Sequence, residues 1–181
     1  MFQLNRKEAR LIILQRIELI SDSLKKIRKV FGRYLFSNFI SKYFLSTSGV
    51  AKAYFQNMQQ EFETINSAID LHNKDLLSIG GGLGGLELVI NKNFNIKSFT
   101  FIEKNYVSKK VKYGWDNKNN EAYNDISIQR NFLTKNEMES SRFTIFDYDN
   151  DSEDSVIVIE QEEIPFNNNK EKQSDRLERM I

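Results

Sequence analysis

The chain has 181 residues, 40% hydrophobic and 12% aromatic, which is enough to bury one real core. Its 26 basic and 25 acidic residues leave a net charge of +1, so no global field draws it to nucleic acid, and neither nucleic acid nor membrane is expected as a partner. With no cysteine and the single histidine His72, disulfides, thiolate chemistry and a multi-histidine metal site within one chain are all excluded.

The N-terminal MFQLNRKEARLIILQRIELI is broken by Gln15, Arg16 and Glu18 before it reaches signal-peptide length. No later run approaches the ~20 apolar residues of a membrane span. The expectation is a soluble, cytoplasmic protein.

Residues 1–73 read as a helical N-terminal segment. Ile13, Ile17, Ile20, Leu24, Ile27 and Phe31 alternate steps of three and four, the pitch of one helical stripe. Gln15, Glu18, Lys25 and Lys29 fall on the polar side of that stripe. With Lys26 and Arg28, the last two form a short basic cluster that reads as a solvated face. A second, aromatic-rich helix runs through YLFSNFISKYFL and stops at Ser46-Thr47-Ser48-Gly49, where a hydroxyl can cap the next helix. The third helix carries Phe55, Met58, Phe62, Ile65 and Ile69 as core positions.

From residue 74 the period changes. LLSI is a strand stopped by glycine, LELVI opens a helix, SFTFIE is a second strand and NEAYNDISIQRNFLTKNEM a helix. RFTIFDYD and SVIVIE are further strands. This alternation predicts an α/β fold: an incomplete, Rossmann-like parallel sheet of about four strands over residues 74–163, preceded by the helical segment. Residues 164–181 are a polar tail.

Between the first strand and its helix stands GGGLGG, five of the chain's eight glycines. Glycine there leaves main-chain amides uncovered at a helix N-terminus and permits positive φ, both of which suit a ligand loop. A Walker-type loop needs Lys-Ser/Thr after its last glycine, and Leu86-Glu87 follows instead. Gly80, Gly82 and Gly85 satisfy GxGxxG, whereas Gly80, Gly82 and Gly84 satisfy GxGxG. Both patterns expect an acid about 20 positions on, at the end of the second strand, to bind ribose hydroxyls. Glu103 stands there.

The GxGxG pattern, with helices ahead of it and short alternating units after it, resembles class I S-adenosylmethionine-dependent methyltransferases over residues 74–160. The resemblance implies S-adenosylmethionine as cofactor, with Gly80, Gly82, Gly84 and Glu103 binding it. Asp147 matches the acid after the third strand that contacts the adenine amino group, and SVIVIE matches the fourth strand, whose end faces the methyl donor. Ser78 occupies a cofactor-binding position where many members carry Asp or Glu. The family's full sheet continues beyond a fourth strand, so the resemblance implies a truncated first half, with an exposed sheet edge open to a partner or to self-association. The acceptor is taken as a small molecule or glycan, and no catalytic residue is identified.

Two other readings stay open. IGGGLGGLE and FIEK also resemble the start of flavin-dependent oxidoreductases, which would make the chain a flavin- or NAD-binding fragment. It also reads as a non-catalytic remnant or interaction module. Of the remaining residues, His72 lies at the wrong end of the first strand for chemistry, and Tyr113, Trp115 and Tyr123 are ligand-closing or packing aromatics. Asp147, Asp149, Asp151, Glu153 and Asp154 read as a solvated acidic loop and no metal is expected; Glu160 and Glu162 lie near the end of the fourth strand.

Overall fold

The computed structural model describes residues 1–19, 39, 46–108 and 122–151. Over these the chain is mixed α/β, with helices α1 (Arg6–Gln15), α2 (Thr47–Asn66), α3 (Gly85–Asn93) and α4 (Ile126–Lys135). Its strands are β1 (Asp75–Ile79), β2 (Ser98–Glu103) and β3 (Phe143–Asp147). The YLFSNFISKYFL helix lies outside the described residues except for helical Phe39, as do SVIVIE and the tail.

The strands form a parallel sheet in the order β1-β2-β3, with Ser78, Phe101 and Ile145 in one row. Each crossover steps the same way across the sheet. Right-handed crossovers therefore put α3 and α4 on one face. Along β2 the side chains alternate strictly: Phe99, Phe101 and Glu103 are buried under the helices, while Thr100 and Ile102 on the other face are only partly covered. That second face also carries Leu77 and Ile79, 40% and 73% exposed.

The core joins the N-terminal helices to the sheet. Phe2 packs edge-on to Phe55 and Phe132, with Tyr54, Met58, Leu83, Leu88, Phe99 and Phe101 in the same cluster. The expected stripe from Ile13 to Phe31 is not one helix. α1 ends at Gln15, Arg16 leaves helical geometry at φ −127°, and Ile17–Leu19 form a 3-10 turn. Positions of the stripe beyond Leu19 lie outside the described residues. In α2, Met58 and Phe62 are buried as expected, but the helix stops at Asn66 and Ile69 is 56% exposed. No helix of the described residues is long and apolar enough to cross a membrane.

Candidate functional site

Three left-handed glycines shape the loop between β1 and α3: Gly80 at φ +65°, Gly82 at +69° and Gly84 at +82°. Residues with a Cβ resist this region by about 1–2 kcal/mol each, so the loop's path needs glycine there. Gly80 N–H extends the β1–β2 ladder to the Ile102 carbonyl at 3.0 Å, which brings the loop beside Glu103. Gly84 caps α3 without a side chain, and a Cβ on it would lie 2.8 Å from Leu133.

A cleft of about 360 Å³ opens at the carboxyl ends of β1 and β2, lined by Gln15, Gly80, Gly82, Glu103, Lys104, Ala122, Tyr123 and Asn124. A Cβ on Gly80 would meet nothing within 4 Å, so this part of the loop is bare. Glu103 Oε1 accepts the Gly82 N–H at 2.9 Å, and the Asn124 amide donates to the Gly82 carbonyl at 3.3 Å and to Gln129 Oε1 at 2.9 Å. Gln15 reaches in from the end of α1 and donates to the Tyr123 carbonyl at 2.8 Å. Burial lifts the Glu103 carboxyl to about 7, against hydrogen bonds from Gly82, Asn124 and Gly81 that hold it down, and with nearby Glu87 adding to the rise.

A second polar layer lies behind the loop. The Tyr54 hydroxyl accepts the Gly85 N–H at 3.1 Å, satisfying a donor in the first turn of α3. Ser78 Oγ is turned into the interface between sheet and helix, where it donates to Glu87. Burial raises both the Glu87 carboxyl and the Tyr54 phenol.

Of the residues singled out from sequence, Gly80, Gly82, Glu103 and Tyr123 meet at the cleft, while Ser78, Gly84 and Asp147 are not among its lining residues. Gly84 acts on the helix cap and Ser78 on Glu87. Asp147 pairs with Glu103 in register, but its carboxylate accepts from Asn150 Nδ2 at 2.8 Å and from the Asp149 N–H at 3.2 Å. Its pKa lies below the usual range: burial is the largest single influence and would raise it, but these bonds and those from Asn105 together outweigh it. His72 stacks edge-on to Phe94 at 4.9 Å, before β1. Tyr113, Trp115, Glu153, Asp154, Glu160 and Glu162 lie outside the described residues. Among the described residues no three His, Cys, Asp or Glu side chains group as metal ligands.

Gln15, Lys104 and Asn124 were not expected at the site. Gln15 read as polar-face, yet it follows buried Leu11 by one helical turn, and that spacing was the available signal. Asn124 belongs to the segment before α4, where an antiparallel bridge between Val107 and Tyr123 holds it against the loop. No local pattern marks it.

Compared with known proteins, the chain matches no family model and no curated protein.

Proposed function

We propose that the chain is an S-adenosylmethionine-binding, methyltransferase-like protein, with the first strands of a Rossmann-like sheet and a helical N-terminal cover. The observation that carries this is the meeting of bare Gly80, the Gly82 loop and Glu103 around one cleft at the carboxyl end of a parallel sheet. Ligands of open α/β sheets bind at that end, where glycine amides face the ligand and an acid from the next strand accepts sugar hydroxyls. Bound S-adenosylmethionine supplies a methyl group already activated on a sulfonium, so the chain has to bind and orient it and exclude water. Gly80 would admit its nucleoside closely, Glu103 would hold the ribose, and Asn124 and Gln15, whose amide lies against Gly82, would wall the cleft. The acceptor class remains a small molecule or glycan, and the cysteine-free composition fits a cytoplasmic setting.

A second reading, a cofactor-free interaction module, draws on the Glu103–Gly82 bond, which spends the ribose-binding acid on the protein itself. Calorimetry with S-adenosylmethionine, S-adenosylhomocysteine, NAD and FAD separates the readings. Heat with the first two and none with the others supports the proposal. Binding of NAD or FAD alone makes the chain an oxidoreductase fragment. Silence with all four at millimolar ligand favours the interaction module.

A further inference from the structure

Gly82 is gripped from two sides. Its N–H points to Glu103 Oε1 at 2.9 Å and its carbonyl receives the Asn124 amide at 3.3 Å. Glu103 itself is 4% exposed, so the loop and the acid occupy each other's hydrogen-bonding capacity. The carboxylate has acceptor sites to spare, but at 4% exposure and with Oε1 turned onto the loop amide it presents too little surface for both hydroxyls of a sugar to reach it where it stands. Resting on the nucleoside-binding reading above, we propose that the Glu103–Gly82 bond is an internal stand-in for the ligand, exchanged on binding: the carboxylate leaves Gly82 for the vicinal hydroxyls, and the Gly82 amide turns to the ligand.

The surroundings fit an exchange. The neighbours that touch Glu103 on the loop side are neutral: the Gly81 and Gly82 amides and Asn124. The charged groups around it are Glu87 from α3, Lys104 just past the end of β2 and Asp147 at the paired position of β3. Lys104 lies 3.7 Å from Asp149, and Asp147 accepts from Asn150 in its own turn. From α2, Tyr54 bonds Gly85, and just past the end of α1, Arg16 is paired with Glu61 at 2.5 Å. The like charge of Glu87 and the burial together make the ionised, ligand-accepting form of Glu103 scarce below a pH of about 7.

The test is calorimetry with S-adenosylhomocysteine, adenosine and 2′-deoxyadenosine between pH 5.5 and 8.5, on the natural chain and Glu103→Gln, with the Gly82 amide followed by NMR. Without ligand, the Gly82 amide shift should titrate with a midpoint of about 7. With S-adenosylhomocysteine bound it should lose that titration. Affinity should fall about tenfold per pH unit below the midpoint in the natural chain and stay flat in Glu103→Gln. 2′-Deoxyadenosine should bind at least tenfold more weakly than adenosine. Binding that leaves the Gly82 titration in place, or that shows no pH slope, overturns the exchange and leaves the cofactor reading standing. If no nucleoside binds either protein at any pH, both fall.

Discussion

Ser78 Oγ donates to Glu87 Oε1 across 2.5 Å directly beneath Gly81, tying the end of β1 to the first turn of α3. A Cβ on Gly81 would lie 2.3 Å from that hydroxyl and 2.9 Å from the carboxyl oxygen. Both atoms are buried and bonded to each other, so neither can step aside cheaply. Gly81→Ala should therefore destabilise the protein by about 1–3 kcal/mol through overpacking alone, since Gly81 has no left-handed backbone to strain. Urea denaturation of the variant checks this; an unchanged midpoint would show that the pair relaxes freely.

Gly80→Ala separates folding from binding. Its Cβ meets no atom within 4 Å, so the cost is only that of φ +65°, about 1–2 kcal/mol. The added methyl, however, sits on the wall of the cleft. Under the proposed cofactor reading, the expected outcome is a folded protein, by circular dichroism, that has lost at least about tenfold in S-adenosylhomocysteine affinity, one or two kcal/mol of lost contact.

The parallel α/β region was legible because its signals are local. SFTFIE alternates and spans β2 to the residue, and glycine stops β1 one position before the loop turns left-handed at Gly80. Gly80, Gly82 and Glu103 meet because strand, loop and acid follow one another at fixed spacing. Ser78 and Asp147 were placed by resemblance alone, and their side chains answer to neighbours that no spacing reveals: Glu87 for one, the Asn150 turn for the other. The long stripe from Ile13 fails at Arg16 for a similar reason. Arg16 there forms a two-armed pair with Glu61 of α2, at 2.5 and 3.2 Å, and tertiary pairing overrides a periodicity that continues on paper.

Tyr54 carries a structural load out of proportion to its place in a helix core. It is 2% exposed, and its hydroxyl is the acceptor for the Gly85 N–H. Tyr54→Phe keeps the ring and removes only that acceptor, which leaves a buried amide without its bond and should cost about 1–3 kcal/mol. Gly85→Ala should be at least as damaging, because a Cβ would lie 2.4 Å from the hydroxyl and 2.5 Å from the ring carbon bearing it. Combining the two should bring no rescue, since the ring carbon remains in the way. Thermal midpoints of the three variants decide it.

The raised Glu103 carboxyl has a stability signature of its own. Its folded value of about 7 stands above the ordinary 4.5, so between those limits the folded chain holds more protons than the unfolded one. Stability contributed by this group is complete below the unfolded value and is lost as pH rises towards 7. Glu103→Gln carries no such proton. Relative to the natural chain it should gain stability from pH 5 to pH 8, by at most roughly 3 kcal/mol for a shift of this size. Parallel denaturation curves at the two pH values measure the difference; a constant offset would place the Glu103 carboxyl in ordinary solvent.

Glu8 and Lys135 join α1 to α4 asymmetrically. Glu8 is wholly buried and accepts from Lys135 Nζ at 2.5 and 2.7 Å, while the lysine side chain keeps 32% exposure. Glu8 also accepts the Asn5 N–H at 2.6 Å, closing a capping box at the start of α1. Removing the lysine thus strands a buried carboxylate, whereas removing the glutamate charge leaves an ammonium that can turn to water. Lys135→Met should cost about 3–5 kcal/mol, the usual penalty for an orphaned buried charge. Glu8→Gln, which keeps an oxygen for the cap, should cost less, about 1–2 kcal/mol. Denaturation midpoints in the opposite order would mean that the capping box, and not the ion pair, holds α1 in place.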